Sequence, residues 1–500
     1  MFSLRLVVMY ACCTQVYGFK VVLNKCVLSM RQRNNKLYST MMEAAPTVSG
    51  IYVHIPYCRR RCSYCDFAIV PIGNATKDLS REKGFRSMDD GYKKAVMDEI
   101  DIVRTCLDRG QLPKHEVRSI YFGGGTPSLA PLETIEQILQ KLIQTYQLDT
   151  KSIEITMEMD PGTFTKSQLE ALKNLGINRI SLGVQSFNDT ILEGIGRVHR
   201  ERDIIDALSI ISDVYGDEAN ISMDLISGLP GLTIDTWKNT LERILHLTPT
   251  PNHLSVYDLQ IEDGTTFGRW YSDSDEESDS FRPMSEMTSS IDSQLNRDNR
   301  LKLPSSEDCA LMYRYASEFL RSNGYEHYEI SSYARLVTPT SERGFRSVHN
   351  QIYWKIGSDW YAFGLSATSS FGGKRFARPR QMSDYISWVQ EVKEGVEKLD
   401  SLPPWLPQHI DEEDKHEILL DTVMTRLRTT EGLDLNDLKQ FSNDDSLVEL
   451  ILEGAKEGID LGLVERNTTG GGNDILRLVD PDGFLFSNTI ISNIFMHLSD

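Results

Sequence analysis

Cysteine is scarce in this chain. Eight residues among 500 are too few for a disulfide scaffold of this length. Positive charge is also in deficit, with 53 Lys and Arg against 72 Asp and Glu and a net charge of −19. That excludes a general nucleic-acid binder, which needs a basic footprint. No apolar run reaches the roughly 20 residues of a membrane-spanning helix. There is no Ser-His-Asp arrangement and no phosphate-binding P-loop, and His115, His199, His246, His253, His327, His409, His416 and His497 fall into no ligand spacing. The remainder, 40% hydrophobic and 25% charged, is ordinary for a globular protein of about two to four domains.

The charge is not spread evenly. Residues 1–50 carry six basic side chains (Arg5, Lys20, Lys25, Arg31, Arg33 and Lys36) and one acid, Glu43, a net +5 that leaves −24 on residues 51–500. A basic, acid-poor leader before an acidic body reads as a targeting segment over residues 1–49, removed on import into a plastid or mitochondrion. The short apolar run Leu4–Cys13 suits the core of a signal peptide cleaved near Gly18. Phe19 would then begin a second, basic segment, as in bipartite plastid leaders. A plain mitochondrial presequence and an uncleaved cytoplasmic extension are the competing readings.

From residue 50 short apolar strands alternate with helical periodicity. Strands are expected over 51–55, 118–122, 153–159, 179–184, 220–226 and 253–259, and helices over 92–107, 132–146, 166–175, 201–214 and 234–245. Repeated βα units imply an α/β fold with a parallel sheet. Six units are too few for a closed eight-stranded barrel, so a partial (β/α)6 TIM-type barrel over 50–300 is expected, with reactive groups at the C-terminal strand ends. Residues 71–90, 271–304 and 336–347 look like polar insertions. The second carries a net −5 over 271–290 and is too polar to order itself. Residues 305–401 are expected to complete the barrel. Leu402–Pro407, with three prolines, reads as a linker to a small C-terminal α+β unit over 402–500, winged-helix-like in its element order.

Three of the eight cysteines fall within eight residues, Cys58, Cys62 and Cys65, in C-x3-C-x2-C spacing after the first strand. Thiolates this close converge on one metal centre, and Arg59, Arg60 and Arg61 are expected to lower their pKa values. Three ligands suit a 4Fe-4S cluster with one iron open to chelate S-adenosylmethionine. Zinc, with His54 as fourth ligand, and structural thiols are the plainer alternatives. Gly123-Gly124-Gly125-Thr126-Pro127-Ser128, after the second strand, lets backbone approach a ligand and offers N–H donors to a carboxylate. Glu158, Gln185 and Asp224 are polar groups on apolar strands and need a partner or a ligand. Arg197 could reach a carboxylate. Surface ion pairs and tight turns are the structural alternatives. Cys106 and Cys309 read as isolated buried thiols.

The cysteine spacing is the radical SAM signature. Tyr52-x-His54-Ile55-Pro56-x-Cys58 with Cys65-Asp66-Phe67 resembles the subgroup that holds oxygen-independent coproporphyrinogen III dehydrogenase (HemN) and the heme chaperone HemW, from about residue 50 to the C-terminus. The resemblance implies that Tyr52, Gly124 and Glu158 bind one S-adenosylmethionine. It also implies that Tyr64, Gly125, Thr126, Gln185, Arg197 and Asp224 line a second such site. It further implies an electron donor such as a flavodoxin or ferredoxin.

Within the subgroup, the dehydrogenase has a further cysteine two residues after the third ligand. Here that position is Phe67, as in HemW-like proteins. His349-Asn350-x-x-Tyr353-Trp354 resembles a motif linked to heme in those proteins. An imidazole can ligate iron, and two aromatics can pack on a porphyrin face. The alternative is a core histidine among packing aromatics. The implied function is a HemW-type heme chaperone that delivers heme to hemoproteins. The other reading is oxygen-independent coproporphyrinogen III dehydrogenase. Tyr328–Tyr333 and Gly364–Ala367 also resemble subgroup segments, with no chemistry assigned.

Overall fold

The computed structural model describes residues 47–74, 79–112, 115–216, 219–271, 300–336, 344–355, 358–398, 403–405, 412–442, 445–468 and 474–499. Residues 1–46, which hold nearly all of the expected leader, lie outside them, as do 272–299 of the acidic insertion and 337–343 of the third polar loop.

Six strands run parallel in chain order: β1 (Thr47–Ile55), β2 (His115–Gly124), β3 (Glu154–Met159), β4 (Arg179–Gln185), β5 (Ile221–Ser227) and β6 (His253–Asp258). Between them lie α1 (Leu79–Asp108), α2 (Leu132–Tyr146), α3 (Lys166–Leu175), α4 (Glu201–Tyr215) and α5 (Ile234–Ile244). Further elements follow: α6 (Ser306–Ser322), β7 (Tyr325–Glu329), β8 (Ser332–Arg335), α7 (Val348–Trp354), β9 (Ser358–Phe363), β10 (Thr368–Phe371), β11 (Lys374–Ala377) and α8 (Met382–Glu397). One sheet of 11 strands results among the described residues, in the order β11-β10-β9-β1-β2-β3-β4-β5-β6-β8-β7. The βα core is thus extended on both flanks: β9 lies parallel to β1, and β8 lies antiparallel to β6.

Period-2 alternation divides the strands into two faces. Ile51 and Val53, Ile120 and Phe122, Ile155 and Met157, Ile180 and Leu182, and Met223 and Leu225 are buried in the hydrophobic core. The alternate positions carry Tyr52, Tyr121, Glu158, Ser181, Asp224 and Ser255, and these line a cavity. The polar set therefore covers the inner face of the sheet and is not confined to its rim.

Two expectations need correction. The polar stretch 71–90 is not simply an inserted loop, because α1 begins at Leu79. Phe85, Tyr92 and Val96 are buried along one helix stripe, and Asp89 accepts hydrogen bonds from Tyr57 (2.8 Å) and Thr134 (2.5 Å). A helix that buries one narrow stripe can be polar elsewhere. The stretch 402–407 is not a free linker where it is described. Trp405 is 3% exposed, with its ring 5.7 Å from Trp388 and the Arg378 guanidinium 5.2 Å from the ring centroid. Of the two isolated thiols, Cys106 is buried as expected and Cys309 is half-buried.

The C-terminal residues form α9 (Glu412–Leu427), β12 (Leu433–Asp434), α10 (Leu435–Ser442), α11 (Asp445–Asp460), β13 (Val464–Thr468), β14 (Asp474–Leu478) and α12 (Ser487–Ser499). The three strands pair antiparallel in the order β12-β14-β13. Asp480 ties this unit to β7 through His327 (2.7 Å) and to α6 through Ser317 (2.8 Å) and Arg321 (3.1 Å). No helix among the described residues is long and apolar enough to cross a membrane.

Candidate functional site

The cysteine loop leaves the C-terminal end of β1. A two-residue pairing of Tyr57–Cys58 with Val70–Pro71 closes it, and Ser63 N–H donates to Ile195 O at 3.0 Å, tying it to the turn after β4. Cys58, Cys62 and Cys65 are half-buried and line one cavity of about 420 Å³ at the C-terminal strand ends, within the size range of small-molecule sites.

The three arginines do not act as expected. Arg59 donates to Gly162 O (2.8 Å), Arg60 to Gly196 O (2.7 Å) and Arg197 O (2.5 Å), and Arg61 to Phe67 O (2.7 Å). They brace the loop through backbone carbonyls. Burial dominates the thiols, pushing Cys58 up to about 12 and Cys65 up to about 11. On Cys65, Arg61 and Arg197 pull the other way without offsetting burial. Metal binding would have to supply the drive for deprotonation.

His54 is no free metal ligand. Its Nε2 meets Ala68 O at 2.9 Å and its Nδ1 meets the Tyr52 hydroxyl at 3.2 Å. Burial lowers it to about 4. No group of three or more His, Cys, Asp or Glu among the described residues is gathered tightly enough for a single metal ion.

The glycine turn sits against the cysteine loop. Gly124 has φ +112°, and a Cβ there would collide with the His54 ring. A Cβ on Gly125 would lie 2.7 Å from backbone atoms of Pro56 and Tyr57. The turn's N–H groups are spent within the protein: Gly124 on Glu158 (2.9 Å), Gly125 on Ile55 O (2.8 Å) and Thr126 on Tyr57 O (2.7 Å). The expected N–H donors for a ligand carboxylate are therefore not available at residues 124–126.

Glu158 also accepts from the Tyr121 hydroxyl at 2.8 Å, and burial pushes its carboxyl up to about 7. Asp224, on the same inner face two strands away on β5, is raised by burial and accepts from Ser181 at 3.1 Å. Gln185 ends β4 at φ +65°, where the β4–β5 register shifts, and lines the cavity. Burial opposes the charge of Arg197, but Asp160, with which it forms an ion pair, together with Tyr64 and Cys62 more than offsets this and raises its pKa. Arg197 also donates to Gly183 O at 2.8 Å. Half-buried Tyr64 lines the cavity, and burial raises its phenol. Tyr52 stacks on Tyr121 at 6.1 Å.

His349 stands on the cavity wall, on α7. Ser347 caps this helix by accepting from Asn350 N–H (3.2 Å), and Glu154 accepts from the Val348 and His349 N–H groups (3.2 Å each). Arg426 holds the far end through Trp354 O at 3.2 Å. The His349 ring is buried and engaged at both nitrogens, and burial lowers it to about 3. The wall continues to Trp360, whose ring lies 4.8 Å from Tyr353, and to Arg375, 5.6 Å from Trp360.

Sequence reasoning missed Asp160, which binds both Arg197 and Thr126. Its signal was its place two residues after Glu158, on the same side of the strand end. It also missed Tyr121, the hydroxyl partner of Glu158.

The parallel sheet with this cysteine loop over its first strand defines a radical SAM protein, and residues 52–244 match the Radical SAM superfamily family model. Heme chaperone HemW of Synechocystis sp. is 35% identical over 467 residues, covering 90% of this chain and 97% of that protein. The chain belongs to the HemW family. HemW of Bacillus subtilis is 29% identical, covering 69% of this chain and 76% of its own. A Bos taurus protein, "Radical S-adenosyl methionine domain-containing protein 1, mitochondrial", is 31% identical, covering 69% and 66%. Among solved structures, coproporphyrinogen III oxidase (HemN) from Escherichia coli superposes with a TM-score of 0.62 over 93% of this chain and 92% of its own, at 19% identity. That likeness is one of fold.

Proposed function

We propose that this protein is a heme chaperone. It holds a 4Fe-4S cluster on Cys58, Cys62 and Cys65 with S-adenosylmethionine beside it, binds heme along the wall of His349, Tyr353 and Trp354, and delivers it to acceptor hemoproteins. One observation carries the reading: a single cavity is lined by the three cysteines and also by His349, Tyr353, Trp354 and Trp360. The three cysteines and the His349-Asn350-x-x-Tyr353-Trp354 motif thus line one chamber. Phe67, where the dehydrogenase has a further cysteine, favours the chaperone over oxygen-independent coproporphyrinogen III dehydrogenase.

The donor set fits the cofactors. Three sulfurs, with no fourth protein ligand among the described residues, suit a cluster with an open iron, which would supply electron transfer and a chelation point for the amino acid end of S-adenosylmethionine. Tyr52, Gly124 and Glu158 serve that molecule. Tyr64, Gly125, Thr126, Gln185, Arg197 and Asp224 serve a second. Since the turn's N–H groups are spent, Thr126 contributes through its hydroxyl and Glu158 accepts from ligand hydroxyl or ammonium groups. For heme, Tyr353 and Trp360 offer aromatic packing, and Arg375 offers a cation to the propionates. An electron donor of the flavodoxin or ferredoxin class would reduce such a cluster. The basic leader and the mitochondrial relatives support work inside a mitochondrion or plastid. Imaging a fluorescent fusion of residues 1–50 tests that placement, and a cytoplasmic signal would refute it.

Anaerobic heme titration of the reconstituted protein tests the function. Saturable binding with a ligand-shifted Soret band is expected, weakened in His349→Ala. No saturable binding in the wild type would defeat the reading.

A further inference from the structure

Two of the three cluster cysteines are joined by a hydrogen-bonded path made only of protein groups. The Thr126 hydroxyl lies 3.6 Å from Cys58 Sγ and donates to Asp160 Oδ2 at 3.2 Å. The other carboxylate oxygen, Oδ1, takes Nη2 of Arg197. Nη1 of the same guanidinium points at Cys62 Sγ, 3.8 Å away. Asp160 therefore holds the polar groups that face two of the sulfurs. Its surroundings fix it in turn. It directly follows β3, and a Cβ on Gly183 would lie 2.8 Å from its Oδ1, so the glycine leaves the carboxylate room against β4. The ion pair is sheltered, with side-chain exposures of 9% for Arg197 and 27% for Asp160.

Hydrogen bonds and positive charge at ligating sulfurs stabilise the reduced, more negative cluster, and groups in the outer shell orient the ones that touch. A carboxylate paired to such a cation cancels much of its charge while keeping its aim. We propose that Asp160 is a positioning residue that sets the reduction potential of the cluster. It aims Arg197 at Cys62, takes the Thr126 hydroxyl proton that Cys58 would otherwise receive, and offsets the Arg197 charge. A plain ion pair would not need to reach both sulfurs through one carboxylate. This inference rests on the cluster reading, which iron and sulfide analysis of the wild type tests by itself.

The experiment is an EPR-monitored redox titration of reconstituted protein without S-adenosylmethionine, which separates cluster tuning from cofactor binding. Asp160→Asn removes the charge and keeps the shape, so its potential should move upward. Asp160→Glu should return it toward wild type. Arg197→Met should move it downward. A wild-type potential in iron-replete Asp160→Asn overturns the proposal, even if affinity for S-adenosylmethionine falls, since Asp160 would then be only a ligand residue. Should Asp160→Asn not keep its iron, Arg197→Met carries the test, because it removes the cation that Asp160 aims and offsets. A downward shift there supports the proposal, and an unmoved potential overturns it. Wild-type protein that takes up no iron would instead defeat the cluster reading.

Discussion

His349 and Tyr353, one helical turn apart on α7, are joined by a 2.7 Å hydrogen bond between Nε2 and the phenol hydroxyl. Nδ1 meets Ser119 Oγ at 2.8 Å, so the imidazole is occupied at both ends. An iron ligand needs a free nitrogen. Heme ligation at His349 therefore requires the Tyr353 hydroxyl to give way. Tyr353→Phe should tighten heme binding about two- to tenfold, the worth of one net hydrogen bond. Titration of both proteins by absorbance checks this. With His349 held at about 3, it stays neutral, and affinity should not vary between pH 6 and 8 on its account.

The glycine turn gives a second prediction. Gly125→Ala drives a methyl into backbone atoms of Pro56 and Tyr57, which cannot swing aside, and so displaces Cys58. Gly124→Ala meets the His54 ring and a left-handed φ, costing about 1–3 kcal/mol. Both variants should melt at lower temperature, and Gly125→Ala should lose reconstituted iron.

Glu158 gives a pH dependence. Burial lifts its carboxyl to about 7, so it is largely neutral at pH 6 and largely anionic at pH 8. The anion is the better acceptor for ligand hydroxyl and ammonium groups. Affinity for S-adenosylmethionine should rise from pH 6 to 8 in the wild type and much less in Glu158→Gln. Calorimetry at both pH values distinguishes the two.

Glu329 gives a stability test remote from the site. Its carboxyl is buried where β7 meets the C-terminal unit, and burial raises it from 4.5 to about 7 against the pull of Ser332 and Arg428. A group with a raised folded pKa binds a proton on folding. Its contribution is complete below pH 4.5 and is lost as pH rises through 7. Glu329→Gln should match the wild type at pH 4.5 and be more stable at pH 8 by on the order of 1–3 kcal/mol. Thermal melts at the two pH values read the difference.

Much of this was legible in the chain. The βα repeat located β1–β6 within a few residues, because each strand is a compact apolar run closed by a turn. The three cysteines and the glycine turn stood out by spacing. What failed was what depends on partners distant in sequence. Arg59, Arg60 and Arg61 look like a field acting on thiols, yet Arg59 and Arg60 reach carbonyls on distant loops, and Arg61 braces the cysteine loop itself. The start of α1 looked like a loop because its only buried stripe packs against residues far along the chain. Asp160 stayed hidden beside Glu158, since nothing local reveals a carboxylate shared by Thr126 and Arg197. The occupied ring of His349 depends on Ser119, 230 positions away.

The central claim is that the shared chamber serves heme as cargo and not porphyrinogen as substrate. Anaerobic incubation of the iron-replete protein with S-adenosylmethionine, a reductant and coproporphyrinogen III tests it most directly. The account predicts that coproporphyrinogen III is recovered unchanged from protein that retains its cluster. Formation of protoporphyrinogen IX, with loss of the two propionate carboxyl groups, would contradict it.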